Sequence, residues 1–386
     1  GMTGDLWSWV GRPAISWQLI HMLAVLPAAG LAWVLFLACK ALFLSSAWAL
    51  RKARGEGGRE ATAASVPGAG DEGSAGGEGV PDPLFRESRR GFVRAAGSAG
   101  ILGILGLAGY GVFRQTAAPV ARRLTLSYPW LPRELHGFTI AHLSDIHLGL
   151  WSNPREMRLA VERAGAERPD MVIFTGDLVD RDPELAALYA EPVSRHMGGI
   201  PHGVWGVLGN HDHFSNPFRI AELLTGGGVR ILREERALVE GLPLSLTGLD
   251  DQGFRRGWLG RRGAVDEEGE ILDFSRVKGP PSREGDFRIL LNHRPEGFRQ
   301  AAEEGGFPLF LAGHTHGGQY AVPWDPQLNV GTLVWKYTAG LYSSWGSHLN
   351  VSCGLSSVGV PFRFGPWPEF SVITLARGRG AAGRGA

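Results

Sequence analysis

The stretch Phe138-Thr-Ile-Ala-His-Leu-Ser-Asp-Ile-His147 decides the fold of this chain. Its first six residues form a short, mostly apolar run of the kind that makes a buried strand, and Asp145 and His147 follow directly. Four more apolar runs, at residues 171–174, 204–208, 287–291 and 308–312, also end at carboxylate, amide or imidazole side chains. Strand ends are where α/β domains place their sites, so the pattern predicts one site built from several strand ends.

Five motifs carry these polar side chains. They are Asp145-Ile-His147, Gly176-Asp177-Leu-Val-Asp180, Gly209-Asn210-His211-Asp212, Asn292-His293 and Gly313-His314-Thr-His316. Each is a weak signal alone, because short combinations of Asp, Asn and His arise by chance in long chains. All five in this order, each after a strand-like run, indicate a metal centre. We expect the three leading glycines to form tight turns that bring backbone and ligands close to the metals.

Helix signals alternate with the strand-like runs. Asn153-Pro154, Asp182-Pro183 and Asn216-Pro217 each place a capping side chain before a proline at the first helical position. Alternating strands and helices predict an α/β layered domain. Later strand-like runs at 244–249, 348–352 and 370–375 are not obviously separated by helices. We therefore expect a second, more antiparallel sheet packed on the first.

The five motifs resemble those of the calcineurin-like metallophosphoesterases, a family of four-layer α/β/β/α sandwiches. The resemblance covers residues 124–376, about two thirds of the chain. The segment 354–363, Gly-Leu-Ser-Ser-Val-Gly-Val-Pro-Phe-Arg, with Pro368-Glu369 after it, further resembles the bacterial membrane-associated phosphodiesterase-like branch. In that branch an arginine often stands where this chain has Cys353, so substrate contacts there are expected to differ.

The resemblance implies a centre of two divalent metal ions, with manganese, iron or zinc compatible with mixed His, Asp and Asn ligation. The implied ligands of the first ion are Asp145, His147, Asp177 and His316, and those of the second are Asp177 as a bridge, Asn210, His293 and His314. His211 would act on the scissile phosphate as a charge stabiliser or general acid. Asp212 would orient His211, as carboxylates commonly do for working histidines.

For other polar residues near the motifs, the sequence mostly predicts structural roles. Asp180 is expected to be a structural hydrogen-bonding residue, and Asp182 a helix cap. His142 is expected to pack or to support a ligand. His213 could be a surface residue or could face the substrate, and the sequence leaves both open. In the segment 251–285, Arg255, Arg256, Arg261 and Arg262 accompany Phe254 and Trp258. That loop holds an anionic lipid head group, contacts the membrane surface or is a solvated flap, and the sequence leaves these open.

The N-terminal third predicts two membrane anchors. Residues 19–39 are apolar except for His21, long enough for a hydrocarbon core of roughly 30 Å. We assign residues 1–50 to this transmembrane segment and 51–88 to a flexible linker. Residues 89–123 carry a twin-arginine-like motif, Ser88-Arg-Arg-Gly-Phe-Val-Arg94, and a second apolar run at 95–113. The motif is either an export signal or a basic flank, and we favour an uncleaved anchor.

The sequence also predicts the boundaries of the catalytic domain and its side of the membrane. The catalytic domain is assigned to residues 124–377 and a disordered tail to 378–386. Basic residues between the two apolar runs place that loop in the cytoplasm, and hence the catalytic domain in the periplasm of a bacterial cell membrane. Cys39 and Cys353 are the only cysteines, so a disulfide framework is not expected. The formal net charge of +1 gives no indication of nucleic-acid binding, and the oligomeric state is unreadable.

We therefore expect a membrane-anchored dinuclear-metal phosphohydrolase. A phosphodiester of the membrane or envelope, cleaved through a metal-bridging hydroxide, is the favoured substrate. One alternative is a lipid-linked pyrophosphate of the nucleotide-diacylglucosamine type, which requires an active site facing the cytoplasm. Another is a non-catalytic metal-binding sensor, which predicts missing ligands or a missing His211; none is missing.

Overall fold

The computed structural model describes most of the chain beyond residue 82. The described residues are 83–149, 152–251, 272–303, 305–322, 325–333, 335–359, 362–378 and 383–384. The predicted first transmembrane segment, most of the predicted linker and the basic and aromatic residues of the 251–285 loop lie outside them. The chain divides into two compact units, Gly1–Ala108 and Gly109–Ala386.

Helix α1 spans Pro83–Thr116 and contains the second predicted anchor, residues 95–113. Within the described ranges, no helix combines the length and the apolar character that crossing a membrane requires. The prediction of a transmembrane helix at residues 95–113 is therefore unsupported, and the one predicted within residues 1–50 lies outside the described ranges. Glycine recurs six times between residues 97 and 111 and contributes little apolar surface. The first strand begins at Val120, four residues before the predicted start of the catalytic domain.

The first sheet has seven strands and is largely parallel. Their order is β15 (Gly383–Arg384), β1 (Val120–Tyr128), β14 (Glu369–Arg377), β2 (Thr139–Leu143), β3 (Met171–Thr175), β4 (Val204–Val207) and β5 (Val229–Ile231). The four strands from β2 to β5 run parallel, whereas β14 is antiparallel to β2 and parallel to β1. The carboxyl ends of β2, β3 and β4 therefore meet at one edge of the sheet.

The second sheet has six strands. Their order is β12 (Gly340–Ser344), β13 (Ser347–Val351), β9 (Leu309–Ala312), β8 (Phe287–Leu291), β7 (Leu244–Gly248) and β6 (Glu235–Leu238). The four central strands are parallel, and only the edge strands β12 and β6 pair antiparallel. A separate hairpin pairs β10 (Ala321–Val322) with β11 (Asp325–Asn329).

This arrangement corrects two sequence expectations. The second sheet, expected to be more antiparallel than the first, is parallel at its centre and antiparallel only at its two edges. The run at 370–375 belongs to β14 of the first sheet, while the motif-bearing strands β8 and β9 belong to the second. The positions of strand-like runs relative to helices show only the order of elements along the chain. The sheet that a strand joins depends on which distant strand forms hydrogen bonds with it.

Short helices connect the strands, and their starts follow the predicted caps. The α-helices are α2 (Pro154–Ala166), α3 (Ala190–Met197), α4 (Asn210–Phe214), α5 (Pro217–Gly226) and α6 (Phe298–Glu303), and the 3-10 turns are Arg133–Leu135, Pro183–Tyr189, Phe274–Arg276, His316–Gly318 and Val330–Leu333. Asn153, Asp182 and Asn216 each accept a hydrogen bond from the first turn they precede. The three predicted caps, Asp182 included, are confirmed.

Three apolar clusters define the layers of the second unit. Leu126 and Ile140 of the first sheet pack with Leu246 and Ile289 of the second, so the main core lies between the sheets. The clusters on the two outer faces join each sheet to its helices: Phe174 packs with Val161 and Ile220 on the first, and Phe310 with Phe298 on the second. The layers thus follow the order helix, sheet, sheet, helix, and the facing sheets bring their motif-bearing strand ends together.

Candidate metal centre

The structure brings six of the seven predicted metal ligands into one buried cluster, and the seventh, Asn210, begins the short helix after β4, next to His211. The turn after β2 supplies Asp145 and His147, that after β3 supplies Asp177, and that after β4 supplies Asn210. The second sheet contributes the other three, namely His293 after β8 and His314 and His316 after β9. Each of the seven is less than a tenth exposed. The site is therefore built at the junction of both sheets.

The first group of side chains surrounds His147. Its Nε2 lies 3.1 Å from Nε2 of His316 and 3.5 Å from Oδ2 of Asp177. Nε2 of His316 lies 3.4 Å from Oδ1 of Asp145. The three residues Asp145, His147 and His316 are placed so that each can offer one ligand atom to a single ion.

The second group shares Asp177 with the first. Oδ2 of Asp177 is 3.2 Å from Nε2 of His293, which is 3.2 Å from Nδ1 of His314. Asp177, His293 and His314 can also offer their ligand atoms to one ion. The same carboxylate oxygen faces both groups, which is the geometry that a bridging carboxylate requires.

The hydrogen-bond partners of the imidazoles make the cluster fit a cation. Nδ1 of His293 lies 2.8 Å from the carbonyl of Thr175, and Nδ1 of His316 lies 2.8 Å from the carbonyl of Ser356. A carbonyl only accepts, so each Nδ1 carries a proton, and once the ring is neutral its Nε2 lone pair points into the cluster. Nδ1 of His147 faces Asp180 in the same way, at 3.2 Å. Lone pairs crowded at about 3 Å repel one another unless a positive ion lies among them.

Asn210 supports the same conclusion. Its Oδ1 is buried and has no hydrogen-bond partner among the described residues. A buried amide oxygen without a partner carries a desolvation cost of about 1–3 kcal/mol. Metal coordination would remove that cost, and an amide oxygen adds a ligand without adding negative charge.

The pKa values show how strongly the cluster attracts positive charge. Burial opposes protonation of His147, but Asp180, Asp177 and Asp145 outweigh it and raise its pKa to about 9. Burial likewise opposes protonation of His293, yet Asp177 and Asp145 raise its pKa to about 10. Protons and metal ions compete for these nitrogens, so metal binding is expected to release protons.

Five of the predicted ligand residues have strained backbones. Their φ angles are 54° at Asp145, 50° at His147, 51° at Asp177, 71° at His314 and 52° at His316. The left-handed region costs a non-glycine residue of order 1–3 kcal/mol, and such residues cluster at functional sites. The fold therefore holds these side chains in place at the expense of stability.

The glycines of the motifs permit close approach, as predicted. A Cβ on Gly313 would collide with Oγ of Ser144 and with Oδ2 of Asp145, and one on Gly209 would collide with Oδ1 of Asp177. Gly176 adopts a positive φ of 86° directly before Asp177. Backbone and carboxylates occupy the space that a side chain would need.

His211 has a different partner from the one predicted. Its Nδ1 lies 2.5 Å from Oδ1 of Asp180, the oxygen that also faces His147. The carboxylate of Asp212 instead accepts from the backbone N–H groups of Gly209, Leu178 and Val179. The expectation that Asp212 orients His211 is therefore wrong, because neighbouring residues on a helix do not face each other. Asp180 is the hydrogen-bonding residue that the sequence predicted.

Two further histidines lie near the cluster. His142 is fully buried, with Nε2 2.8 Å from Oγ1 of Thr175 and Nδ1 accepting from Asn350 at 2.9 Å. Burial lowers the pKa of His142 to about 3, so it is a neutral supporting residue. His213 is not a surface residue: it is 8% exposed, and its Nε2 lies 3.6 Å from Oδ1 of Asp250.

Two arginines near the cluster were missed. Nη1 of Arg294 lies 2.8 Å from Nε2 of His314, and its Nε donates to Asp251 at 2.9 Å. Arg363 is fully buried and contacts the segment that holds His316. Arg294 directly follows His293 and Arg363 ends the segment 354–363, so both were visible as basic residues beside motifs. Their contacts depend on folding and carried no sequence signal.

Comparisons with known proteins agree with this geometry. Residues 138–318 match a family model described as calcineurin-like phosphoesterase. The chain is 29% identical over 302 residues to the uncharacterized metallophosphoesterase YkuE of Bacillus subtilis, covering 76% of this chain and 99% of that protein. It is 28% identical over 274 residues to a Danio rerio "transmembrane protein with metallophosphoesterase domain", covering 69% and 59%. An uncharacterized metallophosphoesterase of Aquifex aeolicus is 28% identical over 242 residues, covering 62% and 85%.

Proposed function

Because the chain belongs to the calcineurin-like phosphoesterase family, we propose that it cleaves phosphodiesters at a centre of two divalent metal ions. Its family makes it a metal-dependent phosphoester hydrolase, and members typically use two divalent metals. The class of ester and the assignment of individual ligands are the proposal. The observation that carries it is the set of imidazole lone pairs and carboxylate oxygens that face one another around Asp177.

The proposed ligands follow the two groups. Asp145, His147, Asp177 and His316 hold the first ion; Asp177, Asn210, His293 and His314 hold the second. Support comes from the shared oxygen of Asp177, which faces His147 and His293 alike, and from the unpartnered Oδ1 of Asn210. Manganese, iron and zinc all suit this mixture of nitrogen and oxygen ligands.

His211 is proposed to act on the substrate. When bound, the ions would supply a hydroxide nucleophile and neutralise the phosphoryl oxygens. His211 is the partly exposed imidazole of the cluster, with 24% of its side chain accessible. Asp180 holds its Nδ1, which leaves Nε2 to donate a proton to the leaving oxygen or to stabilise the phosphoryl charge.

The charges around the cluster favour a diester over a monoester. A diester carries one negative charge on its phosphoryl group, whereas a monoester carries nearly two at neutral pH. The two described arginines beside the ligands are already engaged, Arg294 with Asp251 and Arg363 with backbone carbonyls. The second negative charge of a monoester would therefore gain little from them.

We propose further that the protein acts at a membrane, on an envelope or lipid phosphodiester, with the catalytic domain on the extracytoplasmic side. Ile101, Leu102 and Leu105 of α1 are each more than 60% exposed. No charged residue occurs between Arg94 and Arg114. The Danio rerio relative is named as a transmembrane protein. Apolar side chains exposed in this way suit lipid rather than water.

The direct test of the activity uses generic aryl esters. The full chain, stripped of metal, is assayed on bis(p-nitrophenyl) phosphate and p-nitrophenyl phosphate with manganese, iron or zinc. We expect metal-dependent cleavage of the diester in preference to the monoester. His211→Ala should lower kcat by about 10²-fold, the usual contribution of a positioned proton donor. Asn216→Ala, which removes only a helix cap, serves as the matched control.

Two outcomes would contradict the proposal. Faster cleavage of the monoester would assign the site to a different ester class. Tight binding of two ions without turnover of either ester would favour the non-catalytic sensor.

A further inference from the structure

The segment of residues 353–357, the Ser356 loop, holds two of the proposed ligands of the first ion through its backbone. The carbonyl of Ser356 accepts from Nδ1 of His316 at 2.8 Å, and its N–H donates to the carbonyl of Asp145 at 2.9 Å. Leu355 also donates to the carbonyl of Asp145, at 3.2 Å. A Cβ on Gly354 would lie 2.8 Å from Cβ of Asp145. The loop therefore fixes both side chains from behind.

Arg363 holds this loop in turn. Its Nη1 donates to the carbonyls of Cys353, at 2.8 Å, and Gly354, at 3.3 Å. Its Nη2 donates to the carbonyl of Ser356, and Nη1 also reaches the carbonyl of Trp367 at 3.2 Å. One carbonyl oxygen, that of Ser356, thus accepts from both Arg363 and His316.

The environment of Arg363 is costly for a charged side chain. Arg363 is fully buried, and burial lowers its pKa. Among the described residues, no carboxylate lies within ion-pair distance of its guanidinium, and its Nε has no hydrogen-bond partner. Cys353, Glu369 and Asp145 offset the effect of burial on this pKa only in part, and a buried charge without a close carboxylate partner is destabilising. A packing role alone does not explain it, because an apolar side chain would pack at lower cost.

We propose that Arg363 is a positioning residue for the first metal ion. By holding the Ser356 carbonyl on Nδ1 of His316, it keeps the proton on that nitrogen and the lone pair of Nε2 directed at Asp145 and His147. The planar fork of arginine is required, since it spans carbonyls that a lysine ammonium cannot reach together. This inference rests on the proposed assignment of His316 and Asp145 to one metal ion.

The test is to measure cobalt binding to the full chain, both by the absorption of the bound ion and by competition with a chelator. Wild type should bind two equivalents. Arg363→Gln and Arg363→Lys should weaken one binding step by about 10–100-fold, the usual effect of losing a residue that orients a ligand, and leave the other unchanged. The weakened step should be the one that His316→Ala removes, not the one that His314→Ala removes. Arg163→Lys is the matched control. Arg163 lies on the outer helix α2 and also donates to a backbone carbonyl, that of Pro119.

Each outcome decides one claim. Wild type that binds no cobalt would refute the proposed metal centre itself. If wild type and Arg363→Gln both bind two equivalents of cobalt with the same affinity, the proposed role of Arg363 is overturned but the metal centre is not. Equal weakening of both steps, with a lowered melting temperature, would show a general structural role and also overturn the proposed role of Arg363. If Arg363→Gln does not fold, Arg363→Lys decides the question, because it keeps the charge and loses only the fork.

Discussion

Asp180 serves two imidazoles with one oxygen. Its Oδ1 lies 3.2 Å from Nδ1 of His147 and 2.5 Å from Nδ1 of His211. Burial alone would raise the pKa of this carboxyl, but His147 and His211 together lower it, so it stays ionised. One buried carboxylate thereby connects a proposed metal ligand to the residue proposed to act on the substrate.

Asp212 is also buried, but it faces only backbone. Burial and the charge of Asp177 raise its pKa to about 6, against the N–H groups of Gly209, Val179 and Leu178, which lower it. It organises the turns after β3 and β4 without touching His211. The two carboxylates therefore have separable effects.

Substitution of the two carboxylates should separate catalysis from stability. Asp180→Asn should lower kcat/KM by about 10–100-fold, because the Nδ1–H groups of His211 and His147 lose the negative charge of the carboxylate that orients them. Asp212→Asn should instead destabilise the fold by about 1–3 kcal/mol, since its amide would face backbone donors. Kinetics on the aryl diester and thermal melting measure the two effects. A larger kinetic loss in Asp212→Asn than in Asp180→Asn would contradict this division.

The grouping of the predicted ligand residues could be expected from the sequence, but the contacts that support them could not. The pattern of strand-like runs predicted that their motifs meet, and the family resemblance supplied the individual residues: Asp145, His147, Asp177, Asn210, His293, His314 and His316. That Asp180, and not Asp212, contacts His211 depends on the direction in which α4 runs after Gly209. Helix α4 has only five residues, and no sequence pattern indicates its direction. Arg363 was equally hidden, because its partners are backbone carbonyls rather than side chains.

Among the secondary-structure elements, strands and caps were the most predictable. Short apolar runs and Asn-Pro or Asp-Pro pairs are local signals, and the structure has strands and helices where they occur. Membership in a sheet was not predictable: β14 closes the first sheet from the far end of the chain, pairing with β1 and β2. Such pairing is set by tertiary packing rather than by local sequence.

Helix α1 carries the membrane proposal. Ile101 and Leu105 are one helical turn apart and each is 61% exposed. Replacing both with glutamate should reduce cosedimentation of the full chain with phosphatidylethanolamine–phosphatidylglycerol vesicles at least several-fold, because each charge must leave water to enter lipid. Leu328→Glu, at a leucine that is 59% exposed on β11, is the control.

Unchanged vesicle binding in the doubly substituted chain would argue against lipid contact by this face of α1. It would leave the hydrolytic activity untouched, since α1 supplies none of the seven ligands.

Taken as a whole, the catalytic unit places its site where two sheets meet. The first sheet contributes four of the proposed ligands and the second contributes three, so neither sheet forms the proposed centre alone. The layered α/β class followed from alternating strands and helices. The way in which the two sheets face each other follows from the core between them, in which Leu126 and Ile140 meet Leu246 and Ile289.

The most direct test of a two-ion centre is the anomalous difference map of manganese-loaded crystals of the full chain. Two peaks, about 3.5–4 Å apart with the carboxylate of Asp177 between them, are predicted. One peak should lie within coordination distance of His316 and the other within coordination distance of Asn210. A single peak, or two peaks that do not share Asp177, would contradict the account.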